Sequence, residues 1–261
     1  MNDYEAVFPL AVNSKFNIHY IYQPFFTRYF GIFSKSVVDV RIVNNFLNAI
    51  PERIKFIEFN IHESNPIERT DFQKQERFFQ ILDITKTYEE ISADYKGDAR
   101  RNLKKASKVN LSIVDRLAPE KTVALFKQNK GKQLKELHEI DYLRLQNLMY
   151  AAINHDCGIS LGAFNSENDL IAAAFFIISK QRILFLKGSA NTEGKKSGAM
   201  YLLIDTMLKK YAQKVDIFDF GGSSVENIAS FNHNFGAKNC LYLQVKKNNL
   251  SLIIKQLSGK K

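Results

Sequence analysis

The chain has 261 residues, of which 45% are hydrophobic and 12% aromatic. This composition suffices for the core of one large domain or two ordinary ones, and it excludes an intrinsically disordered protein. The formal net charge of +10 predicts attraction to an anionic partner, such as nucleic acid, nucleotide phosphate or an acidic membrane surface, without choosing among them.

Cysteine content and apolar runs bear on where the protein works. The two cysteines, Cys157 and Cys240, cannot form a disulfide framework, and no metal site is expected because no second ligand pair accompanies His155 and Cys157. The N-terminus has no apolar signal core, and the longest apolar run, residues 170–179, is too short to span a bilayer. These features predict a soluble cytoplasmic protein without a transmembrane segment.

The first third of the chain predicts strands with one helix among them. Apolar alternation predicts strands at residues 6–12, 18–23, 54–61 and 80–85, and helical spacing predicts a helix at 37–49. A charged helical segment follows at 88–109. We place the domain boundary within it, which gives domains of residues 1–95 and 96–261.

The second domain is predicted to begin with two helices, one starting at Pro119 and one covering residues 140–153. Three strands joined by short turns follow at residues 159–164, 170–179 and 183–187. After a loop at 188–198 come a helix at 199–213, a strand around Phe218, a short helix around Phe231 and a strand at 241–245. This order predicts an α/β fold with mixed central sheets and flanking helices.

Two neighbouring segments, residues 216–223 and 230–237, contain the residue types that are typical of a ligand-binding or catalytic site. Apolar residues surround Asp219, two glycines and two serines follow, and a helix-length segment ends at Gly236. We predict that Asp219, Ser223, Phe231 and His233 line one concave site, with Asp219 and His233 as candidate proton acceptors. The alternatives are a turn-forming aspartate and a surface histidine.

The order of elements resembles the acyltransferase superfamily called GNAT. Residues 193–199 occupy the place of its pyrophosphate loop, where amides at a helix N-terminus face an anion. The match is loose because Lys195 and Gly198 fit approximately while Met200 stands where a small residue belongs. The resemblance implies coenzyme A binding by Lys187, Lys195, Lys196 and Gly198, and it makes Tyr242 a candidate leaving-group acid.

A closer resemblance is to the Fem-type branch, which contains tandem GNAT proteins. It is carried by Val-Phe-Pro-Leu at 7–10, Gln-Pro-Phe-Phe at 23–26, Tyr-Phe-Gly-Ile at 29–32, Asp-Ala-Arg-Arg-Asn-Leu-Lys-Lys-Ala at 98–106, Asp-Phe-Gly-Gly-Ser at 219–223 and Phe-Asn-His-Asn-Phe-Gly at 231–236. The resemblance implies an acyl group from aminoacyl-tRNA and an acceptor on a nucleotide-linked or lipid-linked cell-wall precursor. It also implies that Ser223, Phe231 and Asn232 bind substrate.

The sequence departs from the Fem pattern at two places. Asn232 stands where the family has lysine. Fewer residues precede the first strand than in family members, which indicates a shortened N-terminal GNAT-like copy or a start further upstream.

A basic helix is the remaining feature that points to function. Six basic residues lie between Lys96 and Lys108, against one acid, Asp98. Arg100, Lys104 and Lys108 recur at four-residue intervals and form a positive face that can contact successive phosphates of a substrate. A solvated helix at a domain junction is the alternative.

These patterns favour an acyltransferase or aminoacyltransferase that acts on an amine without a metal or redox cofactor. One alternative is an N-acetyltransferase that uses acetyl-coenzyme A, which a preserved phosphate loop together with a splayed strand pair near Lys187 would favour. The other is a catalytically silent module that binds RNA or a phosphorylated ligand, which the replacement at Asn232 favours.

Overall fold

The computed structural model describes residues 4–222 and 226–250, which divide into two units. The first unit takes the described residues up to Phe78 and those from Leu241, and the second unit is Phe79–Cys240. The chain passes into the second unit within one strand, β6 (Gln73–Asp83), and returns to the first within another, β12 (Lys238–Asn248). No helix in the described part of the chain is long and apolar enough to cross a membrane.

The first unit contains a mixed sheet with the strand order β2-β3-β5-β12. Strands β3 and β5 are parallel, while β2/β3 and β5/β12 are antiparallel. Phe16 and Asn17 both have positive φ, as the two-residue turn between β2 and β3 requires. The elements of this unit before β6 are β1 (Ala6–Val7), β2 (Val12–Lys15), β3 (Ile18–Ile21), β4 (Phe33–Ser34), α1 (Val40–Asn48) and β5 (Ile54–Ile61).

Helix α1 begins where Asp39 accepts a hydrogen bond of 2.8 Å from the amide of Ile42. It buries Val43 and Leu47 in a core shared with Phe59 and Val245. The first unit therefore has a hydrophobic core of its own.

The second unit contains a mixed sheet with the strand order β6-β11-β10-β9-β8-β7. Strands β10 and β11 are parallel, and the other pairs are antiparallel. Its elements are α2 (Tyr88–Ala93), α3 (Gly97–Ala106), β7 (Ser112–Asp115), α4 (Pro119–Gln128), α5 (Glu139–Asn154), β8 (Gly158–Phe164), β9 (Leu170–Ser179), β10 (Arg182–Ala190), α6 (Thr192–Ser197), α7 (Ala199–Tyr211), β11 (Ile217–Gly222) and α8 (Glu226–His233). The predicted α/β architecture of mixed sheets with flanking helices is confirmed.

Helices cover both faces of this second sheet. Leu125 of α4 packs on Ala173 of β9 on one face, whereas Leu203 of α7 belongs to the core with Ala172 and Ala174 on the other. Strand β9 is buried on both faces, and its nearly continuous apolar sequence follows from that position.

The predicted domain boundary between residues 95 and 96 falls inside the second unit. Ile91, Tyr95 and Ala99 are buried in the core that also contains α7. The charged segment forms two helices because the chain turns between α2 and α3, and their apolar sides pack inward while the lysines stay outside. The transition between units instead lies at Phe78 and Phe79.

A buried carboxylate joins α2 to α7. Tyr95 and Tyr88 donate hydrogen bonds of 2.8 and 3.0 Å to Oδ1 of Asp205. Burial raises the pKa of Asp205, and the two hydroxyl donors oppose that rise. Sequence patterns did not indicate this contact, because Asp205 lies 110 positions after Tyr95 in the chain.

The predicted loop between β10 and α7 is partly wrong. Strand β10 continues to Ala190, and residues 192–197 form the short helix α6. Asn191 caps α6, because its side-chain oxygen accepts a 2.8 Å hydrogen bond from the amide of Gly194. Gly198 then turns the chain with φ of +78° into α7.

Helix α3 packs directly on this turn. A Cβ atom at Gly198 would collide with the backbone carbonyl of Asn102, and the positive φ also disfavours any side chain. Glycine therefore permits α3 to lie close against the start of α7.

We predict that Gly198→Ala lowers the free energy of unfolding by roughly 1–3 kcal/mol, because it combines backbone strain with the collision. The matched control is Gly97→Ala in α3, where no atom lies within 4 Å of the added Cβ. Its expected effect is a gain of up to about 1 kcal/mol from the better helix former. Urea unfolding of both variants checks the prediction, and equal effects at the two glycines would contradict it.

Candidate active site

The two parallel strands of the second unit separate partway along their length. Strands β10 and β11 pair through Arg182 with Ile217, Ile183 with Phe218, and Leu184 with Asp219. Among the described residues no further pairing of these two strands follows, although β10 extends to Ala190 and β11 to Gly222. The strands therefore leave an opening between them within the sheet.

Both strands are irregular at this opening. Strand β10 changes register against β9 between Phe185 and Lys187, and β11 changes register against β6 between Asp219 and Gly222. Gly221 has φ of +79°, and a Cβ there would lie 3.3 Å from the carbonyl oxygen of Phe185. Bulges of this kind bend strands and redirect backbone polar groups, which is common beside active sites.

Lys187 lies at the bulge of β10. It is opposite Phe175 of β9 and faces α4, where its Nζ lies 3.6 Å from the ring centroid of Phe126. Burial, with a smaller contribution from the charge of Lys130, lowers the pKa of Lys187 to about 8. Ser189, two residues further on, donates a 3.2 Å hydrogen bond to the carbonyl of Leu125 and ties β10 to α4.

Asp219 lies on β11 at the last paired position. Its side chain is 1% exposed, and its Oδ1 accepts a 2.9 Å hydrogen bond from the amide of Gly221. Its Oδ2 lies 3.5 Å from Nε of Arg182. This carboxylate stabilises the bulge and an ion pair, which agrees with the alternative interpretation of a turn-forming aspartate.

Phe231, Asn232 and His233 belong to helix α8 and serve mainly the core. Phe231 packs edge-on against Tyr201 with ring centroids 4.6 Å apart. Asn232 is 1% exposed and donates a 2.9 Å hydrogen bond to Gln80. The Nδ1 of His233 lies 2.8 Å from the carbonyl oxygen of Ala237, to which it donates.

The predicted single concave site is not formed by these residues. Phe220 faces α8, where its ring stacks on Phe235 with a centroid distance of 5.7 Å. Because successive strand residues point to opposite faces, Asp219 faces the other side of the sheet, with Arg182 and Phe79. Asp219 is thus separated by the sheet from Phe231 and His233.

Two further predicted site residues are Ser223 and Tyr242. Ser223 falls outside the described residues. Tyr242 belongs to the first unit, where its ring centroid lies 6.2 Å from that of Tyr29 and burial raises its pKa.

The predicted phosphate loop spans the end of α6 and the start of α7. Lys195 and Lys196 are exposed in the last turn of α6, not at the start of a longer helix. Ser197, Gly198 and Ala199 are buried, and Asn102 of α3 covers the turn. The backbone carbonyl of Asn102 thus lies directly beside Gly198, at the start of α7.

Helix α3 presents part of the predicted basic face to solvent. Arg100 donates a hydrogen bond to the carbonyl of Ala93, at the end of α2, and Arg101 pairs with Asp98. Lys104, Lys105 and Lys108 are exposed, and the first two lie in the last turn of the helix, where positive charge is favourable. The helix thus combines a structural arginine with lysines that remain accessible.

The sequence indicated Lys187 as a candidate site residue but did not show which residues surround it. Phe126 and Lys130 come from the end of α4 and the residues after it, more than fifty positions earlier in the chain. No local pattern connects these residues, because only the packing of α4 on β10 brings them together.

The structure was compared with solved structures. FemX has a TM-score of 0.66 at 12% sequence identity, with 92% of this chain and 84% of that chain covered. L-PGS from Bacillus licheniformis has a TM-score of 0.56 at 11% identity, with 98% and 85% covered. The C-terminal domain of a proposed lysylphosphatidylglycerol synthetase from Agrobacterium fabrum also has a TM-score of 0.56 at 11% identity, with 95% and 82% covered. At such identities these likenesses show a shared fold.

Sequence comparison gives the family. No curated protein sequence matches this chain. The family described as "Acetyltransferase (GNAT) domain" matches residues 93–227, which is just over half of the 261 residues. The chain therefore belongs to the GNAT acetyltransferase domain family.

Proposed function

We propose that this protein transfers an aminoacyl group from an oxygen ester of tRNA to an amine, at the opening between β10 and β11. The observation that carries the proposal is the combination of an open parallel strand pair with a start of α7 that is covered by α3. The first feature provides a place for an acyl group, and the second disfavours a coenzyme A donor.

The opening has the features that acyl transfer requires. Backbone amides of β10 and β11 beyond Leu184 and Asp219, where the described residues of the two strands no longer pair with each other, can donate hydrogen bonds to a carbonyl oxygen as negative charge develops on it. The positive charge of Lys187 on β10 adds to the same effect when its amine is protonated. A donor whose acyl group enters between the strands would be held in extended form against β10.

The charge distribution supports a polyanionic donor. Lys104, Lys105 and Lys108 on α3 and Lys195 and Lys196 on α6 are exposed, and α3 and α6 are neighbours in the second unit. Such a surface matches successive phosphates better than the single pyrophosphate of a coenzyme. The resemblance to Fem-type proteins adds independent support for tRNA as donor and for a cell-wall precursor as acceptor.

An acetyl-coenzyme A donor is the competing function, since the family description names acetyl transfer. The close packing of α3, which buries Ala99 and Ala106, crowds the start of α7 at Gly198. This crowding makes a thioester donor the less favourable choice for this chain.

Donor choice can be measured directly. We expect the protein to transfer labelled amino acid from aminoacyl-tRNA to hydroxylamine, a small amine, above the enzyme-free rate. Acetyl-coenzyme A at the same concentration should give no acetyl transfer and no change in melting temperature, because α3 covers the anion site. Acetyl transfer from the thioester together with no transfer from tRNA would refute the proposal and establish the competing function.

The basic surface gives a second prediction. Lys104→Glu/Lys105→Glu should weaken binding of unacylated tRNA and reduce the slope of log affinity against log salt by about 0.7–0.9 for each phosphate that the variant no longer binds. Arg100 is left unchanged because it bonds to the end of α2.

The control for this measurement is Lys35→Glu/Lys74→Glu, which alters the net charge equally at two exposed lysines of the first unit. This variant should keep most of the parent's salt slope. Equal slopes for the parent and the Lys104/Lys105 variant would mean that α3 does not contact the phosphates.

A further inference from the structure

Lys187 is a buried lysine whose position at the opening suggests more than substrate binding. Resting on the proposed function, we propose that Lys187 is the proton acceptor of the transfer, and that its uncharged amine takes a proton from the ammonium group of the acceptor. This assignment gives Lys187 a catalytic role in place of the expected one of holding a coenzyme.

The register of β10 places Lys187 beside the opening. Lys187 lies within the bulge of β10, beyond the last pair that β10 makes with β11. Its Nζ is held over the ring of Phe126, whose own side chain is fully buried between α4 and the sheet. Tyr142 of α5 supports Phe126, with ring centroids 6.0 Å apart.

The charged and titratable groups around Lys187 come from several elements. Lys130 follows α4 and disfavours a second positive charge nearby. Lys127 of α4 is paired with Glu139 at 2.6 Å and lies over the ring of Tyr142. On the same face of the sheet, Asp219 of β11 is held by Arg182 of β10.

These surroundings favour a lysine that exchanges protons near neutral pH. Burial and the charge of Lys130 hold its pKa at about 8. With such a pKa, part of the lysine is uncharged near neutral pH. A base with a pKa close to the working pH is effective in general base catalysis.

The other candidate bases are engaged elsewhere. The carboxylate of Asp219 accepts from Gly221 and pairs with Arg182. His233 uses Nδ1 for the carbonyl of Ala237 on the opposite side of the sheet. Both groups are thus already engaged in bonds within the fold.

The proposed step balances in protons and electrons. The ammonium group of the acceptor gives one proton to the uncharged amine of Lys187, and the freed lone pair forms a C–N bond to the carbonyl carbon. The C–O bond of the ester then breaks, and its oxygen takes the second proton from the attacking nitrogen to leave as a hydroxyl group. Lys187 releases its proton to solvent, so that the net products are an amide, an alcohol and one proton.

The test compares two acceptors with aminoacyl-tRNA as donor. Ethanolamine is mostly an ammonium ion at neutral pH and needs a base, whereas hydroxylamine is mostly uncharged and does not. We expect Lys187→Met to lower transfer to ethanolamine by about 100-fold or more. Transfer to hydroxylamine, after subtraction of the enzyme-free rate, should fall by less than about 10-fold.

A second variant tests the proton role without touching Lys187. With hydroxylamine as a reference, the rate of transfer to ethanolamine by the parent should rise with pH and level off near pH 8. Lys130→Met removes a neighbouring positive charge, so the pKa of Lys187 should rise. The rising part of the pH profile, here called the pH limb, should then move to higher pH by about half a unit. Lys132→Met, at an exposed lysine nearby, is the control and should leave the limb in place.

The outcomes separate this inference from the proposed function. Equal losses with both acceptors in Lys187→Met, or an unchanged pH limb in Lys130→Met, would overturn the proton role while transfer from tRNA stands. If the parent transfers to neither acceptor, the proposed function fails and the role of Lys187 fails with it.

Discussion

The short parallel contact between β10 and β11 is the constraint on which the rest of the second unit depends. Three residue pairs hold the strands together, and the last of them, Leu184 with Asp219, stands immediately before both bulges. The buried ion pair of Asp219 with Arg182 stabilises the end of this contact. These contacts give the buried carboxylate of Asp219 a structural role at the point where the strands separate.

Different helices cover the two faces of the sheet around the opening. On one face, α4 supplies the aromatic ring beneath Lys187 and an acceptor for Ser189. On the other, α3 and α8 contribute to an aromatic core around Tyr201 and Phe235. A polar chain from Asn232 through Gln80 to Asn239 runs beside that core, with bonds of 2.9 and 3.0 Å. An uncharged amide suits this buried position, whereas a lysine would bring an unpaired charge into it.

Sequence patterns predicted most elements because their apolar residues follow a regular period. The strands at 54–61 and 170–179 were placed at their observed limits, since their apolar runs end at turn residues. Helix α6 was missed because its sequence, Thr-Glu-Gly-Lys-Lys-Ser, has no apolar period and depends on the cap at Asn191. Site residues were harder to place, because nearness along the chain at Asp219 and Phe231 did not show that the sheet separates them. The setting of Lys187 required knowledge of which helix packs over β10.

The path of the chain through the two units has a consequence for biosynthesis. The second unit is one uninterrupted segment, Phe79–Cys240, whereas the first unit needs β12, whose residues pair with β5 from Leu243 opposite Ile61 to Asn248 opposite Phe56. During translation, β5 therefore emerges long before the strand that covers its edge. The N-terminal unit, which in many proteins folds first, cannot complete its sheet here until β12 has been made, and until then one edge of β5 is unpaired. For that interval residues 54–61 offer an apolar strand edge with which other extended segments can pair.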